Sequence, residues 1–420
     1  SAGSIPAGGT TNLSMPEQIK KPELLAPAGN FEKLEIAIHY GADAVYLAGK
    51  DFSLRNFSGN FSDDELMEAV RLGRRHNVKI YLACNIFSRN HEQKQIIQFL
   101  EKTGRIDPDA VIISDPGIIM LARKIIPHME IHLSTQANTT NYHAAMFWKQ
   151  QGVCRVNLAR ELSLNEIREI TGKTDIQTEV FIHGAMCISY SGRCLLSSFL
   201  SNRDSNRGLC SHPCRWKYAV VEELRPNEFH PLAQDQRGSY IFNSKDLCMI
   251  EHIPELIQAG ITSLKIAGRM KGINYLASVV KTYRNAIDAY VKAPQSYLAD
   301  QEWLNELNHP FHRDFCTGFF FGSPREISPN YGNSHQGEIH SFIGKILETD
   351  ETGRCLVDIR NKISATDRVA VLTARGAARE SDIISLTDSH MNPIDYAQPN
   401  TRAKILLKHK FQPNDIIRKV

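Results

Sequence analysis

From residue 22 onward the chain alternates short apolar runs with longer amphipathic stretches. The runs are Glu23-Leu-Leu-Ala-Pro, Ala44-Val-Tyr-Leu-Ala, Lys79-Ile-Tyr-Leu-Ala-Cys, Ala110-Val-Ile-Ile-Ser, Glu130-Ile-His-Leu-Ser, Arg155-Val-Asn-Leu-Ala, Thr178-Glu-Val-Phe-Ile and, after a long gap, Ser263-Leu-Lys-Ile-Ala. Each is too short for a helix and most carry β-branched or aromatic side chains, which reads as buried parallel strands. Between them lie helical patterns with start signals: Asn30 before Phe31 to Tyr40, Ser62 with Glu65 and Ser163 with Glu166 as capping boxes, and Asp115 before Pro116. Eight such alternations predict an α/β fold, a closed, TIM-like (β/α)8 barrel, distorted or incomplete if one strand is miscounted.

The barrel occupies residues 21–292, with a long insertion at about 187–262 before the last strand. Residues 293–336, with Pro294, Pro310 and Pro324, read as a linker whose Thr317-Gly-Phe-Phe-Phe-Gly packs on the barrel. From 337 to 420 the pattern changes to short alternating runs, including Ile343-Gly-Lys-Ile-Leu, Cys355-Leu-Val-Asp-Ile, Arg368-Val-Ala-Val-Leu-Thr and Lys404-Ile-Leu-Leu, which predict a small all-β barrel. Residues 1–20 read as a leader, artificial or disordered, with Met15 as the natural start.

Composition narrows this picture. A chain of 420 residues, 42% hydrophobic and 23% charged, is globular, and its net charge of +3 points to no partner, so a nucleic-acid site must be a local patch. No apolar run is long enough for a membrane span, no signal peptide is apparent, and cysteines in apolar runs predict reduced thiols in a cytoplasm. Oligomeric state is not legible. P-loop, dinucleotide, zincin and serine-hydrolase signatures are missing, and the spacing of His128, Glu130 and His132 gives no metal site.

Chemistry in such barrels gathers at the strand ends. Here these are polar: Asn30, Arg55, Asn85, Asp115, Gln136 with Asn138, Arg160 with Glu161, His183, Lys265 and Arg269. Asn243 and Lys245 sit in a stretch able to fold over that mouth. The insertion carries Cys187, Cys194, Cys210 and Cys214, spaced C-x6-C-x15-C-x3-C, with Cys248 expected to be a buried helix residue. Two disulfides need an oxidising compartment; a structural zinc site and an iron-sulfur cluster both use four thiolates, and spacing alone leaves those two open. Residues 187–217 hold Arg193, Arg203, Arg207, Arg215 and Lys217 against Asp204 alone, a patch suited to phosphate, to carboxylate or to offsetting thiolate charge. Tyr190, Phe199 and Trp216 can stack on a base, although aromatics beside a metal more often shield it.

The segment Glu179-Val-Phe-Ile-His-Gly-Ala-Met-Cys187, with Tyr190-Ser-Gly-Arg-Cys194-Leu-Leu-Ser and Cys210-x-x-x-Cys214-Arg-Trp216, closely resembles the signature of the collagenase-like peptidase family U32. Pro22-Glu-Leu-Leu-Ala-Pro-Ala-Gly, Gly41-Ala-Asp-Ala-Val-Tyr, Ser114-Asp-Pro-Gly, Ser134-x-Gln-Ala-Asn and Asn243-Ser-Lys-Asp-Leu match its other blocks, over about residues 22–335. Within the family the chain is most similar to the tRNA uridine hydroxylase branch. That resemblance implies an enzyme that converts the wobble uridine in the tRNA anticodon region to 5-hydroxyuridine, using prephenate and no dioxygen. It also implies a [4Fe-4S] cluster on Cys187, Cys194, Cys210 and Cys214, zinc being the lesser alternative, and makes the peptidase label historical.

Under this reading Arg160, Arg193, Lys265 and Arg269, with Gln136, Asn243 and Lys245, bind the dicarboxylate. Arg203, Arg207, Arg215 and Lys217 face RNA, and His183, Asp115 and Glu161 are the catalytic candidates. A metal-stabilised peptidase and a non-catalytic, zinc-stapled RNA-binding module are the rivals. One departure stands out: the family's Ser-Leu-Lys-Ile-Glu-Gly-Arg block here reads Ser263-Leu-Lys-Ile-Ala267-Gly-Arg269, which removes a carboxylate from a strand end.

Overall fold

The computed structural model describes residues 19–50, 60–186, 189–207, 210–211, 213, 234–235, 238–239, 245–310, 312–322 and 342–420. Arg55, Cys187, Cys214, Arg215, Trp216, Lys217 and Asn243 lie outside them.

All eight expected runs are strands: β1 (Glu23–Pro27), β2 (Ala44–Leu47), β3 (Lys79–Cys84), β4 (Ala110–Ile113), β5 (Glu130–Leu133), β6 (Arg155–Asn157), β7 (Gln177–Ala185) and, after the insertion's two-residue strands β8 (Gln234–Asp235) and β9 (Gly238–Ser239) and then β10 (Asp246–Cys248), β11 (Ser263–Ile266). Each pairs in parallel with its predecessor, and β11 closes the ring between β1 and β7. The barrel is therefore complete.

Around it run α1 (Phe31–His39), α2 (Asp63–His76), α3 (Gln93–Ile106), α4 (Pro116–Ile125), α5 (Tyr142–Gln150) and α6 (Leu164–Lys173). The start signals work as expected: the Asn30 side chain accepts from Lys33 N, both serine–glutamate pairs form reciprocal capping boxes, and Asp115 accepts from Ile118 N ahead of Pro116. Helices supply one apolar face each; Leu34 and Ile36 of α1 are fully buried, worth about 1.5–3 kcal/mol apiece.

β7 is nine residues long because it serves two neighbours. Its first part closes the barrel, and its end pairs antiparallel with β10, where Asp246, Leu247 and Cys248 oppose Ala185, Gly184 and His183. Gly184 permits this crossing: its φ is +106°, and a Cβ there would lie 2.8 Å from Ala267 O. Cys248 is buried as expected, but it belongs to this strand and not to a helix, because β7 offers it a free edge. The insertion thus returns beside the strand it left.

The chain continues through α7 (Leu196–Ser201) within the insertion, α8 (Ile253–Gln258), α9 (Ile273–Lys292), α10 (Gln301–Asn308) and β12 (Phe315–Cys316), which extends the sheet beyond β10. Phe320 is buried against the barrel and its carbonyl accepts from Leu164 N, while Phe321 is half exposed.

The C-terminal domain contains β13 (Phe342–Thr349), β14 (Arg354–Ile359), β15 (Ile363–Ser364), β16 (Arg368–Leu372), β17 (Arg379–Thr387), β18 (Tyr396–Ala397), β19 (Thr401–Leu407) and β20 (Ile416–Lys419). Six of these close an antiparallel barrel in the order β13-β14-β19-β17-β16-β20. It docks through polar groups that satisfy one another. Tyr40 Oη donates to Leu372 O and accepts from Ile416 N, His39 meets Asp415 at 2.8 Å, and Arg418 bonds Glu306 and Ser278. Among the described residues no helix is long and apolar enough to cross a membrane.

Candidate active site at the barrel mouth

The barrel interior is two-sided. Leu25, Ala44, Ala48, Tyr81, Ala83, Ala110 and Ile112 fill the half made by β1 to β4. Charged and polar groups from β1, β6, β7 and β11 occupy the rest. Arg155 Nη1 donates to Glu23 Oε1 at 2.5 Å, Arg155 also bonds Gln177, and Glu179 accepts from Lys265 Nζ at 2.7 Å and from Asn157 Nδ2 at 2.8 Å. Tyr81 Oη and Ser263 Oγ complete the shell of Glu23.

Burial pushes the Glu23 carboxyl up, yet the Arg155 charge and the hydrogen bonds around it outweigh that and hold it below the ordinary carboxylate range. Burial likewise pulls the Lys265 ammonium down, and Glu179 only partly restores it. The Lys265 head also lies over Tyr46 and Phe181, 4.5 and 5.5 Å from the ring centroids.

Above this ladder the mouth receives the cysteine-bearing segment. Arg160, just past β6, donates to Ala185 O at 2.6 Å and lies 3.7 Å over the Phe181 ring. Its neighbour Glu161 accepts from Ser191 N at 2.8 Å and Ser191 Oγ at 3.1 Å. Gly192 follows with φ +72° and packs so closely on the Gln136 backbone that a Cβ would sit 2.1 Å from Gln136 O. These contacts clamp residues 191 and 192 onto the ends of β5 and β6, and Cys194 comes two residues later.

Beyond the clamp, polar atoms fold the chain back on itself. Ser205 Oγ and Asn206 Nδ2 donate to Cys194 O, and Ser211, next to Cys210, is knit to Ser197 and Ser201 of α7. Cys194 and Cys210 are of intermediate exposure and are not joined in a disulfide. Two such thiols in a segment held by serine and asparagine hydrogen bonds, with only Ser197 buried in α7, fit a thiophilic metal centre as its donors. Tyr190 and Phe199 of this segment are exposed at 65% and 88%, beside exposed Leu195, so among the described residues they face outward more than they shield the thiols.

The other sequence candidates divide by environment. His183 is buried among Tyr275, Tyr283 and Phe315, and burial drives its imidazole down to about 3, leaving a neutral, weakly basic ring. Asp115 has its oxygens taken by Ile118 N, Ser88 N and Ser88 Oγ, which makes it a helix cap that also ties down the preceding loop. Lys265 and Arg269 are both buried; Lys33 Nζ caps the Arg269 carbonyl at 2.9 Å. Arg193 is exposed, Lys245 is half-buried just before β10, and Arg203 lies just past α7.

Gln136 Oε1, Asn138 Oδ1, Thr139 Oγ1 and Asn157 Oδ1 are buried without hydrogen-bond partners. Four unmatched acceptors at one end of β5 and β6 offer a ligand places to donate. Glu179, Arg155 and Glu23 are the residues that reading the strand ends overlooks. Their signal is charge at alternate positions of runs otherwise buried on both faces, as in Arg155 with Asn157 and Ser263 with Lys265.

The model of peptidase family U32 matches residues 29–330, and that of the peptidase family U32 C-terminal domain matches residues 338–418. The chain is 42% identical to "tRNA hydroxylation protein P1" of Bacillus subtilis, over 95% of both chains. It is 36% identical to "tRNA hydroxylation protein P" of Escherichia coli, over 85% of this chain and 87% of that one, and 33% identical to "Collagenase" of Porphyromonas gingivalis, over 94% and 96%. With both domains matched and near-complete coverage of relatives, the chain belongs to peptidase family U32, in the branch whose members are named tRNA hydroxylation proteins.

Proposed function

We propose that this chain is an enzyme of tRNA hydroxylation, converting the wobble uridine to 5-hydroxyuridine with prephenate as co-substrate and without dioxygen. The observation that carries the reading is the 42% identity, along 95% of the chain, to a protein named for tRNA hydroxylation. A [4Fe-4S] cluster on Cys187, Cys194, Cys210 and Cys214 belongs to the same proposal, and when bound it supplies a redox or Lewis-acid centre at the mouth.

The chain's own residues then have separable tasks. Glu161 and Gly192 fix the cysteine segment over the barrel. Arg160 and Arg193 present cations to a dicarboxylate, and the orphan acceptors Gln136 Oε1 and Asn138 Oδ1 take N–H or O–H donors of a bound substrate. Tyr190 and Phe199 offer open faces for an extruded base, since carbon 5 is not reachable in a stacked anticodon. Arg203 and Arg207, with Arg215 and Lys217, bind phosphates.

Mass spectrometry of tRNA nucleosides from cells lacking this protein tests the reading: 5-hydroxyuridine disappears, and the chain as written restores it. Full modification without the protein overturns it. Charge reversal at Arg203 and Arg207 should weaken tRNA binding and flatten its salt dependence, by about 0.7–0.9 in log–log slope for each phosphate no longer neutralised; unchanged affinity and slope place the RNA elsewhere.

The similarity to a collagenase sustains one rival, a metal-stabilised peptidase. Gelatin fragments produced by the reduced, metal-loaded protein and abolished in Cys194→Ser would establish it. The neutral, enclosed His183 argues against that chemistry, because among the described residues the histidine of β7 is not an exposed general base for the cysteine segment that follows.

A further inference from the structure

The opposite, N-terminal face of the barrel carries a second cluster of metal-ligating side chains. Glu130 opens β5 with an exposed carboxylate, His132 follows two residues later on the same side of the strand, and Cys154 immediately precedes β6. Strand pairing brings the cysteine in: Cys154 N and Sγ both donate to Ile131 O, so its thiol lies beside the start of β5. One donor atom from each of Glu130, His132 and Cys154 lies within 4.8 Å of the others. The Cys154 Sγ to Glu130 Oε2 distance is 3.8 Å, and the His132 Nε2 to Glu130 Oε2 distance is 3.5 Å.

A second observation points to a ligand there. His132 is 2% exposed; its Nδ1 makes no hydrogen bond, and its Nε2 has only a long ion-pair contact with Glu130 Oε2 at 3.5 Å. A contact of that length leaves a buried imidazole poorly satisfied. The edge of its ring meets Tyr81 at 4.6 Å, which fixes its orientation without satisfying a nitrogen.

We propose that Glu130, His132 and Cys154 form a binding site for a borderline-soft divalent cation of the zinc class, distinct from the cysteine quartet at the mouth. A thiolate, an imidazole and a carboxylate are the donor types such an ion takes, and a water completes a tetrahedron. On binding, the Cys154 thiol gives its proton to solvent, so thiolate and carboxylate together balance the +2 charge. Arg155, whose charge acts on His132 and Cys154, is already paired with Glu23 and therefore opposes the ion less than an unpaired guanidinium would, while Lys79 acts on Glu130. Glu130 and the partly exposed Cys154 leave an entry from solvent. The ion would tie β5 to the turn before β6 on the stability face of the barrel, independently of any catalysis at the mouth.

Zinc protection of individual cysteines tests this without reference to activity or to the quartet. The intact protein, with and without a small excess of zinc chloride, is pulsed with iodoacetamide and modification at Cys154 is read by peptide mass spectrometry. Zinc should slow labelling of Cys154 at least tenfold in the natural sequence and leave it unchanged in Glu130→Gln, whose exposed position keeps the fold intact. Equal labelling of Cys154 with and without zinc in the natural sequence overturns the proposal. So does equal protection in Glu130→Gln together with a Cys154→Ser variant that retains as much zinc per chain as the natural sequence.

Discussion

Replacing Glu179 by glutamine should expose how much the barrel depends on its internal charge ladder. The substitution preserves shape but leaves Lys265, now 2.7 Å from a neutral amide and 4% exposed, without its counter-ion. Removing one partner of a buried pair costs about 3–5 kcal/mol. An independent ceiling comes from the lysine itself, which can shed its proton: bringing an ammonium from its ordinary 10.5 to neutrality at pH 7 costs about 5 kcal/mol. The two figures agree.

A neutral Lys265 in the folded variant and a charged one in the unfolded chain mean that the unfolded state binds more protons between pH 7 and 10.5. Stability of the variant therefore rises with pH across that window, and its deficit should shrink by about 3 kcal/mol between pH 7 and pH 9.5. Urea unfolding followed by circular dichroism at both pH values, for the natural sequence, Glu179→Gln, Lys265→Met and the double variant, reads this directly. The double variant should be less destabilised than the sum of the singles. A deficit below about 1 kcal/mol at pH 7, or one that does not change with pH, refutes the reasoning.

Other consequences are separable from it. Gly192→Ala forces a Cβ to within 2.1 Å of Gln136 O at a positive φ, so it should lift the cysteine segment from the mouth and cut 5-hydroxyuridine formation at least tenfold while the barrel's unfolding midpoint holds; retained activity contradicts the clamp. Lys281, buried at the domain interface on α9, is pulled by burial from 10.5 to about 8, so the unfolded chain binds more protons between those values and stability climbs with pH through them. Lys281→Met should stabilise the protein at pH 7 by up to about 3 kcal/mol and flatten that climb, as judged by pH-dependent thermal melts; a destabilised variant counts against it. Ala267→Glu puts a carboxylate beside buried Arg269 and should raise 5-hydroxyuridine in complemented cells; unchanged levels show that the carboxylate has no part in the reaction.

The barrel strands are legible because burial on both faces leaves short, mainly apolar runs, and the helix starts because Asn30, Ser62, Asp115 and Ser163 bond to backbone within three residues. In the C-terminal domain β17 and β20 are not: β17 opens with Arg379-Glu-Ser-Asp, whose exposed positions dilute the alternation, and β20 is four residues at the chain end.

The mouth is harder to read. Gln136 and Arg160 can be placed at strand ends, but Glu161 gripping Ser191 thirty positions away depends on where the insertion lands. Local sequence also cannot show that Asp115 is consumed by Ser88 or that Tyr283 and Phe315 enclose His183. The Glu130, His132 and Cys154 cluster is invisible to spacing because its third member arrives only through the pairing of two strands.

Iron and acid-labile sulfide measured on protein purified without oxygen test the central claim most directly. The account predicts about four of each per chain, a broad brown absorbance, and loss of both in Cys194→Ser. A colourless protein with one zinc and no sulfide at the quartet would contradict it.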